Sequence, residues 1–89
     1  MRIKGLCWDD ENIDHIAQHG VSPKEVEDVC SGLHFSRKIR NQRYMLSGQA
    51  ANGKYLNVIL EPIGKGFFRP KTAFEMSETY KHSYRKRLR

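Results

Sequence analysis

The dipeptide Asn52-Gly53 places an antiparallel pair of strands in the second half of this 89-residue chain. Asn and Gly readily adopt the positive φ angles that a two-residue hairpin turn requires. The flanking segments, residues 42–49 and 54–61, are rich in β-branched, aromatic and alternating residues, as strands usually are. The sequence therefore predicts a sheet in which at least these two strands are antiparallel neighbours.

Three further segments have the composition of strands, namely residues 3–8, 34–39 and 66–72. The segment at 34–39 is expected to be either a separate strand or irregular. Pro70 lies inside the last segment and cannot donate a ladder hydrogen bond, so this strand is predicted to lie at an edge or to carry a bulge.

Two helices are predicted between the first strand and the sheet. Asp9 or Asp10 caps the first helix, which has Ile13, Ile16 and Ala17 at the i, i+3, i+4 spacing of one buried face and ends at Gly20. The second begins at the capping box Ser22-Pro23-Lys24-Glu25, buries Val26, Val29 and Cys30, and ends near Gly32.

Ser77 is placed to cap a final helix that runs through Tyr84 into a basic tail, residues 81–89. The element order β-α-α-β-β-β-α predicts a single α+β domain over residues 1–89. We expect a small antiparallel sheet of about four strands, flanked by two N-terminal helices and one C-terminal helix that pack on one face.

Charge is distributed unevenly along the chain. Residues 1–30 carry three Lys/Arg and seven Asp/Glu, a balance of −4, whereas residues 31–89 carry thirteen and three, a balance of +10. A basic surface of this kind favours a polyanionic partner, either nucleic acid or an acidic protein. The alternative is a solvated basic face that serves only solubility.

Several other classes of protein are disfavoured. No apolar run approaches the roughly 18 residues that span a bilayer, and no apolar signal core follows Met1, so a cytoplasmic location is expected. Cys7 and Cys30 lie far apart in sequence and are expected to be ordinary reduced thiols. His15 and His19 are four residues apart on a helix but lack the spacing of a zinc motif and an evident third ligand. We therefore predict no metal and no other cofactor, with His19 at the helix end.

The basic residues of the second half form three groups, which are candidates for binding RNA. Cleavage of RNA without metal requires a base for the 2′-hydroxyl proton, an acid for the leaving 5′-oxygen, and cations around the pentacovalent phosphate. Arg is well suited to the cationic role because its planar fork binds phosphate with two hydrogen bonds. The groups are Arg37, Lys38, Arg40 and Arg43; Arg69 and Lys71; and Lys81, Arg85, Lys86, Arg87 and Arg89.

A set of short motifs along nearly the whole chain resembles the BrnT family, which comprises ribonuclease toxins of type II toxin–antitoxin systems with a RelE-like fold. The resemblance rests on Trp8-Asp9, Asn12, His19-Gly20-Val21-Ser22, the run from Glu25 to Val29, Arg43-Tyr44, Gly48, Gly53-Lys54-Tyr55-Leu56, Thr72-Ala73, Met76-Ser77 and Tyr84. It implies RNA cleavage that inhibits translation and a cognate antitoxin as partner, in a homodimer or a heterotetramer with that antitoxin.

The resemblance also implies a set of site residues. Those present in this chain are Trp8, His19, Arg43, Tyr44, Arg69 and Tyr84, and the chemistry of the sequence adds Lys71. Trp8 is equally well explained as a core residue, and Tyr44 and Tyr84 as partly structural. Two positions depart from the family pattern, since Phe74 stands where Arg is usual and Tyr80 where Glu is usual. The sequence thus leaves two main hypotheses: a ribonuclease toxin, or a degenerate relative that only binds RNA or a partner protein.

Overall fold

The structure is a computed structural model and describes residues 2–88. None of the helices in this range is long and apolar enough to cross a membrane. In chain order the elements are β1 (Gly5–Leu6), α1 (Asp10–Ala17), α2 (Pro23–Ser31), β2 (His34–Lys38), a short 3-10 turn (Arg40–Gln42), β3 (Tyr44–Gln49), β4 (Tyr55–Gly64), β5 (Phe67–Glu75) and α3 (Glu78–Arg87).

The five strands form one mixed sheet in the order β1-β5-β4-β3-β2. The neighbours from β2 to β5 are antiparallel, and the segment at 34–39 is a separate strand, β2. The predicted α+β class is confirmed, but the sheet is mixed and not wholly antiparallel, because β1 adds a fifth strand that pairs parallel to β5, with Gly5 opposite Phe67. A two-residue strand has too short a pattern to indicate its partner or its direction.

The caps of the two N-terminal helices form as the sequence predicts. Asp9 accepts a hydrogen bond from the backbone N–H of Asn12, and Ser22 accepts one from that of Glu25. Ile16 is fully buried, but Ala17 is exposed, so its predicted place on the buried face of α1 is wrong. The buried face of α1 is centred on Asn12 and Ile16, which are four residues apart, and Ala17 lies beyond the edge of that face.

The main core lies between one face of the sheet and the helices α1 and α2. Val26 and Val29 of α2 are fully buried there together with Leu46 of β3 and Val58 of β4. Gly48 permits this packing, since a Cβ at that position would lie 3.0 Å from the Val29 side chain. The close approach fixes α2 across β3.

Helix α3 lies on the opposite face of the sheet, which corrects the prediction that all helices pack on one face. Tyr84 of α3 is buried edge-on against Phe35 of β2 and Tyr55 of β4. It is the one buried residue of this helix. A single anchor gives no helical pattern from which the sheet face is predictable.

A bulge accommodates Pro70 in β5. Ile59 pairs with Thr72 and Leu60 pairs with Pro70, so Lys71 is an extra residue on the β5 side. The predicted bulge is therefore present, and Pro70 also lies beyond the short pairing of β5 with β1, which ends at Phe68. A bulge turns the extra side chain, here that of Lys71, away from the regular alternation of the strand.

Glu25 joins the start of α2 to the hairpin at Asn52-Gly53. Its buried carboxylate accepts hydrogen bonds from Asn52 Nδ2 and from the backbone N–H of Ser22, and Lys54 Nζ lies 3.0 Å from it. Burial by itself raises the pKa of Glu25, but the bonds from Asn52 and Ser22 and the charge of Lys54 outweigh this effect and lower the pKa to about 2.

We expect Glu25 to stabilise the fold above about pH 4.5, its unfolded-state pKa, and this stabilisation to be lost as the pH falls toward 2. Glu25→Gln should lower the free energy of unfolding by about 2 kcal/mol at pH 7, the range for hydrogen bonds to a charged group. Urea unfolding at a series of pH values measures this difference, which should vanish near pH 2. Glu75→Gln, at an exposed position, is the control; a difference that stays constant with pH would contradict the expectation.

Candidate functional site

The sheet face that carries α3 is here called the α3 face. In β3 the buried Leu46 points to the core side, so the alternating residues Met45 and Ser47 point to the α3 face, as does Arg43, which directly precedes β3 in an extended conformation. On β4 the same alternation places Asn57 and Glu61 on this face. Side chains from these two neighbouring strands therefore share one surface.

At one end of the α3 face, two cations meet at one carboxylate; these residues, Arg43, Glu61 and Lys71, are called the Glu61 cluster. Arg43 Nη2 lies 3.7 Å from one Glu61 oxygen and Lys71 Nζ lies 4.0 Å from the other. All three side chains are about one-third exposed. Because both distances exceed that of a close hydrogen-bonded ion pair, each cation retains capacity to bind another anion.

Local structure holds the two cations in place. The backbone N–H of Arg43 donates to the Arg40 carbonyl at 3.2 Å, and the Arg43 carbonyl accepts from the N–H of Ile39 at 2.8 Å. The Arg43 Nε atom is buried without a hydrogen-bond partner among the described residues. Lys71 reaches Glu61 from the bulge at Pro70.

Arg69 was predicted to share the phosphate site, but its guanidinium belongs to a different charge group. It lies opposite Glu61 in the strand register, yet it pairs with Asp9 at the start of α1 and lies 4.0 Å from Glu11. The hydrogen bond from the backbone of Asn12, followed by the ion pair with Arg69, lowers the pKa of Asp9.

Formal charge distinguishes the two groups as sites for phosphate. The Glu61 cluster has two cations and one carboxylate, which leaves +1, whereas Arg69 with Asp9 and Glu11 leaves −1. A phosphate is attracted to the first group and repelled by the second. By net charge, the Glu61 cluster is therefore the better candidate for binding a phosphate.

The other end of the α3 face holds a cleft under α3, here called the α3 cleft and lined by Arg37, Ser47, Tyr80, Ser83, Tyr84 and Arg87. Ser47 Oγ donates to Asn57 Oδ1 at 2.6 Å and lies 3.0 Å from the hydroxyl of Tyr80. Ser47 and Asn57 are buried, with 3% and 4% of their surface exposed. The network fixes the position of the Tyr80 hydroxyl.

Arg87 is ordered by the fold although the sequence placed it in a tail. Helix α3 continues three residues past Tyr84, so most of the basic C-terminal segment is helical. The guanidinium of Arg87 lies over the ring of Phe35, 4.0 Å from its centre, and lines the α3 cleft with Arg37 of β2. A cation–π contact of this kind restrains a side chain that is otherwise free to move.

Three other predicted site residues lie apart from both groups. Tyr44 points to the core side, where its ring packs edge-on against Phe68. His19 is exposed beyond the end of α1 and lies edge-on to His15, which itself lines a cleft with Arg69 and Lys71. Trp8 packs against the core, and its Nε1 donates to Glu27 at 2.9 Å.

Tyr84 lines the α3 cleft, yet it is mainly an anchor of α3. Only 3% of its surface is exposed, and burial, with a smaller effect of Tyr55, raises the pKa of its hydroxyl. Of the remaining predicted RNA-binding cations, three lie on α3, whereas Lys38 pairs with Tyr44 and so points to the opposite face of the sheet. Lys81 and Arg85 lie over the ring of Tyr55, and Lys38, Arg40 and Lys86 are exposed.

Glu61, Ser47 and Asn57 were not among the predicted site residues, and the structure adds them to the site. An available signal was the strand alternation, which places Glu61 and Asn57 on the same face as Arg43 once the hairpin register is known. Phe74, where the family usually has Arg, is opposite Asn57 and half-buried. Tyr80, where Glu is usual, forms the hydrogen bond with Ser47.

Within residues 2–88, no three His, Cys, Asp or Glu side chains come close enough together to hold a metal ion. Cys7 is half-buried and Cys30 is buried, and both are free thiols. Comparison with known proteins gives no match to a protein-family model, to a curated protein or to a solved structure.

Proposed function

We propose that this protein is an RNA-cleaving toxin that acts without a metal ion at the Glu61 cluster. The observation that carries the proposal is the meeting of Arg43 and Lys71, from different strands, at the Glu61 carboxylate on an accessible sheet face. A carboxylate beside two cations combines a proton acceptor with phosphate-binding groups.

In this mechanism Glu61 removes the proton from a ribose 2′-hydroxyl. The 2′-oxygen then forms a bond to the adjacent phosphorus while the bond from phosphorus to the 5′-oxygen breaks. Lys71 supplies a proton to the departing 5′-oxygen, and the products are a 2′,3′-cyclic phosphate and a 5′-hydroxyl end. Arg43 binds the phosphorane oxygens through its planar fork, and its charge stabilises the extra negative charge of the transition state.

The toxin assignment rests on the resemblance of the chain to the BrnT family. On that basis the physiological effect of cleavage is inhibition of translation in the cytoplasm, and a cognate antitoxin neutralises it, in a heterotetramer or with the toxin as a homodimer. A RelE-like fold belongs to the same proposal, and the α+β architecture with its open sheet face is compatible with it.

A second candidate function is RNA binding without cleavage. Two features favour it: Arg69 is paired with Asp9, and Phe74 places an aromatic ring where the BrnT family usually has a cation. Both features reduce the positive charge that is available to a phosphate. In this case the α3 face is a binding surface alone. A cleavage assay distinguishes the two functions.

We expect purified protein to cleave single-stranded RNA equally fast with and without EDTA, because the proposed base, acid and cations are all side chains. Gel electrophoresis of end-labelled RNA measures the rate and shows whether the products carry a cyclic phosphate. Activity that disappears with EDTA and returns with one divalent ion would contradict the mechanism.

Induced expression in bacteria, followed by measurement of growth and bulk RNA integrity, tests toxicity. Normal growth with intact RNA would favour the binding function.

A further inference from the structure

We infer that the α3 cleft is a ribonucleotide-binding site in which the Tyr80 oxygen accepts a hydrogen bond from a 2′-hydroxyl while Arg37 and Arg87 bind the adjoining phosphate. The inference rests on the proposed function in that it takes RNA as the ligand. The α3 cleft is then a second site on the α3 face, separate from the Glu61 cluster, and it is the site that distinguishes RNA from DNA.

The hydrogen bonds around Ser47 run in one direction only. A serine hydroxyl has one hydrogen, and that of Ser47 is donated to Asn57 Oδ1 at 2.6 Å. In the contact with Tyr80 at 3.0 Å, Ser47 Oγ must therefore be the acceptor and Tyr80 the donor. The only hydrogen of the Tyr80 hydroxyl is thus already used, and its oxygen has lone pairs left to accept.

Burial keeps this arrangement in one orientation. Ser47 and Asn57 are almost fully buried between β3 and β4, whereas Tyr80 is half-buried and lines the cleft. Because burial shields this pair from water, breaking either of its hydrogen bonds would leave a polar atom unsatisfied. The cleft therefore presents a fixed acceptor, which selects a ligand that carries a donor.

The charged residues of the cleft select an anion. Arg37 and Arg87 line it from β2 and from α3, and among the described residues neither forms an ion pair with a carboxylate. Phe35 lies beneath the guanidinium of Arg87 and restrains it. A site with two guanidinium groups and one acceptor is suited to a ligand with a phosphate next to a hydroxyl, which is the sugar–phosphate unit of RNA.

The position of the cleft fits an RNA strand that also reaches the Glu61 cluster. Arg43, which directly precedes β3 in an extended conformation, and Ser47 within β3 lie four residues apart, which corresponds to about 14 Å at roughly 3.4 Å per residue. Met45 is the intervening residue on the α3 face. A strand of a few nucleotides spans this distance along one continuous surface. DNA supplies the phosphates but lacks the 2′-hydroxyl, the group by which proteins distinguish the two.

The test uses single-stranded RNA in which one ribose at a time is replaced by deoxyribose. With Glu61→Gln protein, which should leave the RNA intact, fluorescence anisotropy measures the Kd of each oligonucleotide. We expect one position at which the deoxy substitution weakens binding by about 3- to 10-fold, the effect of one neutral hydrogen bond. Tyr80→Phe in the same background should abolish this position dependence and leave the Kd for all-DNA unchanged.

Two controls separate the Tyr80 effect from a general loss of structure or charge. Tyr55→Phe removes a hydroxyl from the same sheet face but outside the cleft, and should leave the deoxy scan unchanged. Arg87→Ala should weaken RNA and DNA equally and reduce the salt slope of log Kd by about one unit. Thermal unfolding of each variant shows that the fold is kept.

The outcomes of the two proposals are distinguishable. A deoxy scan without a sensitive position, or one that Tyr80→Phe leaves unchanged, would overturn the assignment of Tyr80 whether or not the protein cleaves RNA. A sensitive position that Tyr80→Phe removes would support it even if the wild-type protein never cleaves. RNA that is cut by the Glu61→Gln protein would count against the role of Glu61 only, and anisotropy readings from the first minutes on ice would still test Tyr80.

Discussion

Replacing Glu61 with Gln is expected to lower the rate of RNA cleavage at saturating RNA by about 10²- to 10⁴-fold, the usual contribution of a positioned general base. The amide has nearly the same shape but does not accept the proton of the 2′-hydroxyl at neutral pH. The substitution also removes the negative charge between Arg43 and Lys71, so the affinity for RNA should stay equal or increase. A fall in turnover with unchanged or tighter binding is the signature of a lost base.

The matched control is Glu75→Gln, which makes the same chemical change at the exposed end of β5. It should keep the wild-type rate. Single-turnover cleavage of labelled RNA gives the rate constant, and anisotropy gives the Kd. If Glu61→Gln cleaves as fast as the wild type, Glu61 is not the base; if it loses binding and turnover together, its role is structural.

Much of the fold follows from local signals in the sequence. The capping box at Ser22 and the hairpin at Asn52-Gly53 each depend on residues within four positions of one another, and both form as predicted. Two of the features that were wrong depend on contacts far apart in sequence. The parallel pairing of β1 with β5 and the placement of α3 opposite the other helices have no local pattern that specifies them.

The candidate site was less predictable than the fold because it depends on which charges become neighbours. Arg43 and Arg69 are both strand cations in the sequence, and nothing in their local context separates them. In the structure the bulge at Pro70 turns Lys71 toward Glu61, while the N-terminus of α1 brings Asp9 to Arg69. Long-range packing thus decides that one Arg lies in a net positive group and the other in a net negative group.

Because Arg43 lies in the net positive group, its replacement is expected to have the second large effect on RNA cleavage. Arg43→Ala is expected to lower the cleavage rate at saturating RNA by about 10²- to 10³-fold, because one preorganised donor to the transition state typically contributes about 3 to 4 kcal/mol. Arg43→Lys should restore only part of the rate, since an ammonium lacks the planar fork. The same single-turnover assay measures both variants.

Arg69→Ala is the matched comparison, as it removes the same side chain from β5, which is separated from β3 by β4. It should change the cleavage rate by less than about 3-fold and lower the free energy of unfolding by at most about 1 kcal/mol, the range for exposed ion pairs. The cap of α1 remains because Asp9 still accepts from the backbone of Asn12. If Arg69→Ala abolishes cleavage while Arg43→Ala does not, the phosphate lies between α1 and β5, and the Glu61 cluster is not the active site.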